Sequence, residues 1–146
     1  MKTIILATDG SPAAKEALAV AEQLCLDAGA SLHVLAVTLA MPPVRSASVD
    51  LLDLETPAGT RRIAVEAAAH ARALGIPTAW HVAEGDTATQ LLDLSDRLEA
   101  DHIVIGSRGL GNVGGLLLGS VSRKVVRHAR VPVTVVKAPE RAETAA

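Results

Sequence analysis

A glycine-rich segment in the second half of the chain is the part of the sequence best suited to hold a ligand. It runs from Gly106 to Ser120 and contains six glycines, the last of which, Gly119, directly precedes Ser120. Glycines let the main chain approach a ligand closely, so that successive N–H groups can converge on phosphate oxygens. A helix is predicted to start at Ser120, and the first N–H groups of a helix favour negative charge. The sequence therefore predicts an anion site, where the Ser120 hydroxyl either caps its own helix or donates to a phosphate.

Three nucleotide-binding patterns can be compared with this segment. The Walker pattern GxxxxGK[ST] is absent, because no lysine precedes a serine or threonine at the required place. A GxGxxG match at Gly109, Gly111 and Gly114 lacks both a helix starting within it and an acidic residue about 20 positions later, which disfavours a dinucleotide dehydrogenase. The third pattern has two glycines separated by two residues, then nine residues, then Gly-Ser. Its members are Gly106, Gly109, Gly119 and Ser120.

No group of residues has the arrangement of a catalytic site. No nucleophile has an adjacent base, and no carboxylate pair lies on the glycine-rich segment to activate water. The five histidines lack the spacing of a zinc site. The single cysteine, Cys25, lies on an apolar helical stripe and is interpreted as a small core residue. A binding protein is therefore favoured over an enzyme.

The elements that must position the glycine-rich segment form an alternating series. Short apolar runs predict strands at 4–7, 32–37, 77–82, 102–105 and 132–136, and segments of helical period predict helices at 12–28, about 60–74, 87–98 and 120–128. This alternation predicts a mostly parallel sheet with helices on both faces. Ligands bind such sheets at the carboxyl ends of the strands, where the strand order reverses. That directs attention to Asp9, to the residues after Val37 and to the segment after Ile105. For Asp9 the alternative is a structural role, either capping the first helix or steadying the turn beside Ser11.

Local signals predict the ends of the helices. Ser11 followed by Pro12 predicts the start of the first helix, and Gly29 predicts its end. Thr87, with Gln90 three residues later, predicts a capping box for the third helix. The side chains that this helix is expected to bury are Ala88, Leu91, Leu92 and Leu98.

Two stretches have no regular period. Residues 38–59 contain Pro42, Pro43 and Pro57, and a short helix at 49–54 is the one element that their pattern allows. A connection of this length is usually functional or mobile. Residues 139–146 carry charges without an apolar period and are expected to form a flexible tail after a domain spanning 1–138.

Composition narrows the class of protein. The chain has 146 residues, enough for one domain, and its 14 basic and 16 acidic residues give a formal charge of −2, so it has no electrostatic footprint for nucleic acid. Trp80 is its one residue among Phe, Trp and Tyr, which argues against a surface that stacks the bases of single-stranded nucleic acid. No stretch approaches the roughly 20 apolar residues of a membrane span, and the first apolar run ends at Asp9, too short for a signal peptide. We expect a soluble cytoplasmic domain with neither a nucleic-acid nor a membrane partner.

The pattern as a whole resembles the universal stress protein family, in the subgroup that binds ATP. The resemblance covers residues 1–137 and rests on the glycine motif together with three flanking matches. These are Ile4-Ile5-Leu6-Ala7-Thr8-Asp9-Gly10-Ser11, the stretch from Glu84-Gly85-Asp86 to Ala100–Gly109, and Gly119–Ser122 with His128-Ala129 and Val131-Pro132-Val133.

The resemblance implies an α/β fold and a nucleotide site. The fold is a single three-layer, Rossmann-like domain with a five-stranded parallel sheet of order 3-2-1-4-5, similar to the adenine nucleotide alpha hydrolases, and the nucleotide lies across the ends of the first and fourth strands. Asp9 would contact the ribose-phosphate region, Val37 would pair its backbone with adenine, and Ala7 occupies a variable position at which adenine packs. Ile105 and Gly106 would lie near the ribose. The phosphates, with Mg²⁺, would be bound by Gly109, Gly119, Ser120, Val121 and Ser122.

The resemblance also implies a role and an assembly. It implies a regulatory protein of the stress response whose ATP-bound and empty states differ in partner affinity, and a homodimer. The β-branched run Val131–Val136 is expected at a sheet edge, where pairing with a second copy would cover it. Two alternatives stay open: an interaction module of the same fold that does not use ATP, and a slow ATPase or autophosphorylating protein.

Overall fold

The computed structural model describes residues 1–39, 56–107 and 118–138. The elements follow one another in the predicted strand–helix alternation. They are β1 (Thr3–Ala7), α1 (Pro12–Ala28), β2 (Ser31–Thr38), α2 (Pro57–Ala73), β3 (Thr78–Glu84), α3 (Thr87–Leu98), β4 (His102–Gly106), α4 (Ser120–His128) and β5 (Val133–Val136).

The strands form one five-stranded sheet in the order β3-β2-β1-β4-β5, and every neighbouring pair is parallel. The chain moves outward from β1 to β3 and then returns to β4 on the other side of β1. The strand order therefore reverses between β1 and β4, where the carboxyl ends of the two strands border a crevice. Both the predicted order 3-2-1-4-5 and the edge position of the last strand are confirmed.

Alternating side chains of the strands build two apolar layers, one on each face of the sheet. Ile4 and Leu6 pack with α1 and α2, while Ile5 packs with α3 and α4 on the opposite face, and all three side chains are fully buried. Because both faces are covered, the central strands are continuous apolar runs and not alternating ones. These three layers hold the carboxyl edge of the sheet in place.

The ends of α1 follow the predicted signals. The Ser11 side chain accepts a hydrogen bond from the backbone N of Ala14 at 3.2 Å, and Pro12 is the first helical residue. Gly29 ends the helix with a left-handed φ of 67° and donates its N–H to the carbonyl oxygen of Cys25. Cys25 is buried in the core as predicted, and burial, with the charge of Glu22, raises the pKa of its thiol to about 11.

The start of α2 corrects the sequence prediction. The helix begins at Pro57, three residues before the expected start near Thr60. The Thr56 side chain accepts a hydrogen bond from the N of Gly59 at 3.0 Å, so Thr56 is the N-cap and Pro57 takes the first helical position, where its missing N–H costs nothing. The helix expected at 49–54 and the tail at 139–146 lie outside the described residues.

The third predicted helix is capped one residue earlier than expected. Asp86, and not Thr87, is the N-cap of α3: its Oδ2 accepts from the N of Thr89 at 3.0 Å and from the Thr89 hydroxyl at 2.6 Å. Ala88 and Leu91 are buried as predicted, but Leu92 and Leu98 are only partly buried. Leu94 and Ser95 take the buried positions, because they continue the stripe of Ala88 and Leu91 at helical spacing.

Candidate functional site

The turn after β1 holds Asp9 at the carboxyl edge of the sheet. The N–H of Thr8 donates to the carbonyl oxygen of Leu35 at 2.9 Å, which keeps the strand beside β2 up to this point. Gly10 then adopts a φ of 78°, a left-handed conformation that favours glycine, and turns the chain into α1. The half-buried Asp9 accepts the N–H of Ser11 through Oδ1 at 2.9 Å. Asp9 therefore steadies the turn, while Ser11 caps the helix.

The end of β4 lies directly against the first turn of α1. Ile105 is buried in the layer that α3 and α4 cover. A Cβ built on Gly106 would lie 3.0 Å from both the carbonyl carbon and the Cβ of Ala13. Real Cβ atoms rarely come so close, so glycine at this position allows β4 and α1 to approach each other. The contact joins the end of β4 to the first turn of α1, the helix that follows the Asp9 turn.

Three hydrogen bonds join the two ends of the glycine-rich segment, and a fourth ties its first end to β5. The N of Ser107 donates to Val136 O at 2.7 Å, and the N of Gly119 donates to Ser107 O at 2.7 Å. Ser122 is 3% exposed, and its hydroxyl donates to Gly106 O at 2.7 Å and approaches Ser107 O at 3.2 Å. Residues 108–117, including the predicted phosphate ligand Gly109, lie outside the described residues. The hydrogen bonds fix where this segment leaves β4 and where it enters α4.

The N-terminus of α4 faces the same edge without a side-chain cap. Gly119 occupies the N-cap position with a φ of −72°, so the alternative in which Ser120 caps its own helix is wrong. Ser120 and Val121 are exposed, and no acidic residue lies in the first turn. The unpaired N–H groups of this turn carry the positive end of the helix dipole. The arrangement is chemically suited to an anion.

The end of β2 completes the edge on the other side of β1. The Val37 side chain is 3% exposed and packs in the core, which leaves its backbone as the part able to meet a ligand. The buried Thr38 hydroxyl donates to the Thr60 hydroxyl at 2.9 Å, and Thr60 donates in turn to Thr56 O at 3.0 Å. This chain of hydroxyl groups joins β2 to α2. Nothing in the sequence pattern singled out Thr38 or Thr60.

An ion pair fixes α4 relative to α3. Lys124 Nζ lies 2.8 Å from Asp86 Oδ2, the same carboxylate that caps α3. Hydrogen bonds from Lys124 and Thr89 lower the pKa of Asp86 to about 2. Nothing in the sequence pattern pairs Lys124 with Asp86. Its partner lies 38 positions away in the chain, and the pair gives α4 a second attachment near the carboxyl edge.

Two histidine contacts lie away from this edge and were not predicted. His33 Nδ1 and His81 Nε2 are 2.9 Å apart on neighbouring strands, and burial lowers the pKa of both imidazoles. His70 Nδ1 lies 2.6 Å from Glu22 Oε2 between α1 and α2. Among the residues that the structure describes, no three His, Cys, Asp or Glu side chains group closely enough to hold a metal ion. In the same residues, no helix is long and apolar enough to cross a membrane.

The topology brings most of the predicted site residues to one edge. Ala7 ends β1 and Asp9 lies in the turn after it, Ile105 and Gly106 end β4, and Val37 lies near the end of β2. The start of α4 contributes Gly119, Ser120, Val121 and Ser122. Of these, Ser122 has its hydroxyl committed to backbone oxygens of the chain. Some of the predicted residues therefore lie at the surface of the edge, while others, such as Ser122, hold the edge together through hydrogen bonds within the chain.

Comparisons with known proteins agree with this fold. The sequence model of the universal stress protein family matches residues 1–137. A universal stress protein encoded in the QAH/OAS sulfhydrylase 3′ region of Thermus aquaticus is 40% identical over 138 residues, which is 93% of this chain and 98% of that protein. The solved structure of a universal stress protein from Lactobacillus plantarum has a TM-score of 0.76 at 23% identity, over 92% of this chain and 97% of that one. A universal stress protein solved in complex with cAMP has a TM-score of 0.72 at 28% identity, over 94% and 98%. The chain belongs to the universal stress protein family.

Proposed function

We propose that this protein binds an adenine nucleotide, and specifically ATP, at the edge where β1, β4 and α4 meet. The observation that carries the proposal is the uncapped N-terminus of α4, held at the point where the strand order reverses. The relative solved with cAMP supports it, because that protein shares 28% of its residues and the fold with this chain. ATP binding would change the affinity of the protein for a partner in the stress response.

Each part of the nucleotide has a candidate partner. The Val37 backbone pairs with adenine and Ala7 packs against the base, while Asp9, Ile105 and Gly106 meet the ribose and the first phosphate. The phosphates are bound by the N–H groups at the start of α4, by the Ser120 hydroxyl and by the segment that contains Gly109. Gly119, Ser120, Val121 and Ser122, at the start of α4, would line the phosphate end. Ser122 acts through its backbone and by holding together the two ends of the glycine-rich segment.

Mg²⁺ would bind at this site only together with the phosphates of the nucleotide. A nucleotide-bound Mg²⁺ is usually held by phosphate oxygens, water and one or two carboxylates. The described residues offer no three-residue metal cluster, but Asp9 supplies one carboxylate at this edge. When bound, the ion would neutralise phosphate charge. Asp9 would orient it from the ribose side.

The proposal includes a homodimer built on β5 and a cytoplasmic location. β5 (Val133–Val136) is an edge strand with side chains that are only partly buried. A strand of β-branched residues at an edge is a template for pairing with another strand. A second copy of the chain would cover it.

Thermal unfolding with and without ATP tests the nucleotide site. ATP at a hundred times its dissociation constant should raise the free energy of unfolding by about 2.7 kcal/mol. Gly119→Val should abolish this gain by placing a side chain where the phosphates approach. Valine accepts the extended backbone of Gly119, so this variant should still unfold cooperatively.

A second pair of variants separates the contribution of the Ser120 hydroxyl to ATP binding from that of the N–H groups of α4. Ser120→Ala should weaken ATP binding by about 1–2 kcal/mol, because the site keeps its N–H groups. Val126→Ala changes an exposed residue at the other end of α4 and should leave ATP binding unchanged. If the wild-type protein gains no stability from ATP, an interaction module that does not use nucleotide is the better reading. If Gly119→Val binds as tightly as the wild type, the phosphates lie elsewhere.

A further inference from the structure

A cavity of about 470 Å³ runs between α1 and α2, on the face of the sheet that these helices cover. It opens beside the turn of Thr8, Asp9 and Gly10 and extends along the helices to Glu22 and His70. Its volume lies within the range of about 300–1,000 Å³ that is usual for small-molecule sites. The cavity shares the Asp9 turn with the proposed nucleotide site, but the rest of its lining, on α1 and α2, lies outside that site.

Two matched helical stripes line the cavity. Lys15, Leu18 and Glu22 follow one another at three- and four-residue spacing on α1, and Arg62, Glu66 and His70 do so at four-residue spacing on α2. From Lys15 to Glu22 the helix rises by about 10 Å. Lys15 and Arg62 therefore lie with Asp9 at the end nearest Gly10, and Glu22 and Glu66 lie further along the helices. Apolar surface from Leu18, Ile63 and Ala67 separates them.

Glu22 is the buried charge at the deep end. The residue is 4% exposed, and its Oε2 lies 2.6 Å from His70 Nδ1. A carboxylate oxygen only accepts, so this nitrogen of His70 carries the proton. Every fully buried side-chain polar atom of the described residues has a hydrogen-bond partner, and the hydrogen bond of Glu22 uses Oε2. The other oxygen, Oε1, therefore keeps contact with the space of the cavity that Glu22 lines.

A carboxylate held this deeply favours a cationic partner. Burial of an ionised group costs free energy unless the charge is paired and hydrogen-bonded. The hydrogen bond from His70 occupies Oε2, which leaves Oε1 for a second donor. Glu66 lines the same cavity one helical turn before His70 and adds a second carboxylate. An ammonium group with an apolar stem matches both the carboxylates and the apolar wall.

We propose that the cavity between α1 and α2 is a second ligand site, which binds a small primary amine with its ammonium group on Glu22 and its stem along Leu18, Ile63 and Ala67. The ammonium donates to Glu22 Oε1 while His70 keeps Oε2. The inference does not depend on nucleotide binding, since it uses none of the residues at the start of α4.

Titration of the ¹⁵N-labelled protein with hexylamine tests the proposal at pH 7, where the amine is charged. The backbone shifts should saturate and should be concentrated in residues 14–22 and 62–70. Hexanoate, which has the same stem and the opposite charge, and hexanol, which has no charge, should bind at least about tenfold more weakly. Equal binding of the three compounds would show a hydrophobic groove without an amine site and would overturn the proposal, as would shifts spread evenly over the surface.

Three variants identify the site. Glu22→Gln keeps an acceptor for His70 and should reduce hexylamine affinity by about tenfold or more, because a hydrogen bond to a charged group is worth about that factor. Ala19→Leu places bulk at an exposed position that lines the cavity, so it should block binding with little risk to folding. Ala69→Leu, an exposed change on α2 outside the cavity lining, is the matched control and should bind like the wild type. Wild-type affinity in Ala19→Leu contradicts the proposal even if Glu22→Gln fails to fold.

Discussion

Ser122 offers the sharpest test of how the glycine-rich segment is held. Ser122 is 3% exposed, and its hydroxyl donates to Gly106 O at 2.7 Å, with Ser107 O at 3.2 Å. Ser122→Ala removes the donor and leaves a carbonyl oxygen without this partner, which costs about 1–2 kcal/mol. In a protein of this size, each kcal/mol lowers the melting temperature by about 2–4 °C. Ser120→Ala, two residues earlier at an exposed position, should change stability by less than about 0.5 kcal/mol.

Urea unfolding of the two variants measures the difference, and amide hydrogen exchange locates it. In Ser122→Ala the N–H groups of Ser107 and Gly119 should exchange faster, because they belong to the same set of hydrogen bonds. The amides of β1 should keep their relative protection. If Ser122→Ala and Ser120→Ala are equally stable, or if Gly119 exchanges at the wild-type rate, Ser122 does not hold together the two ends of the segment.

Three other changes test the fold and the assembly. Gly106→Ala should lower the free energy of unfolding by about 1–3 kcal/mol, because its Cβ would lie 3.0 Å from Ala13; calorimetry showing wild-type stability would contradict the close contact. Stability in urea should fall as the pH drops below about 6.5, because burial lowers the pKa of His33 and His81 and the unfolded chain then binds protons that the folded chain does not; a flat profile between pH 5 and 7 argues against this. Light scattering should find a dimer that Val135→Lys, on the edge strand β5, converts to a monomer, and a wild-type monomer at micromolar concentration would count against pairing there.

The helix ends show which structural features a local sequence signal can predict. Ser11, Pro12 and Gly29 predicted both ends of α1, because one capping residue and one glycine stood alone at the right places. At α3, Asp86 and Thr87 are adjacent and both can cap a helix. The structure selects Asp86, whose backbone is extended and whose carboxylate also meets Lys124. The second contact comes from α4, so no local pattern could choose between the two residues.

The sequence by itself determined the alternation of strands and helices, the order of the sheet through its family resemblance, and the edge at which the glycine motif lies. Apolar periodicity and glycine spacing are local properties, so they can be observed directly in the sequence. Only the tertiary structure decided that Gly106 packs on Ala13 and that the Ser122 hydroxyl turns back to the end of β4. It also decided the pairing of Glu22 with His70, 48 positions apart. Such contacts depend on how helices and strands pack across the sheet, because residues distant in sequence meet only after the layers have formed.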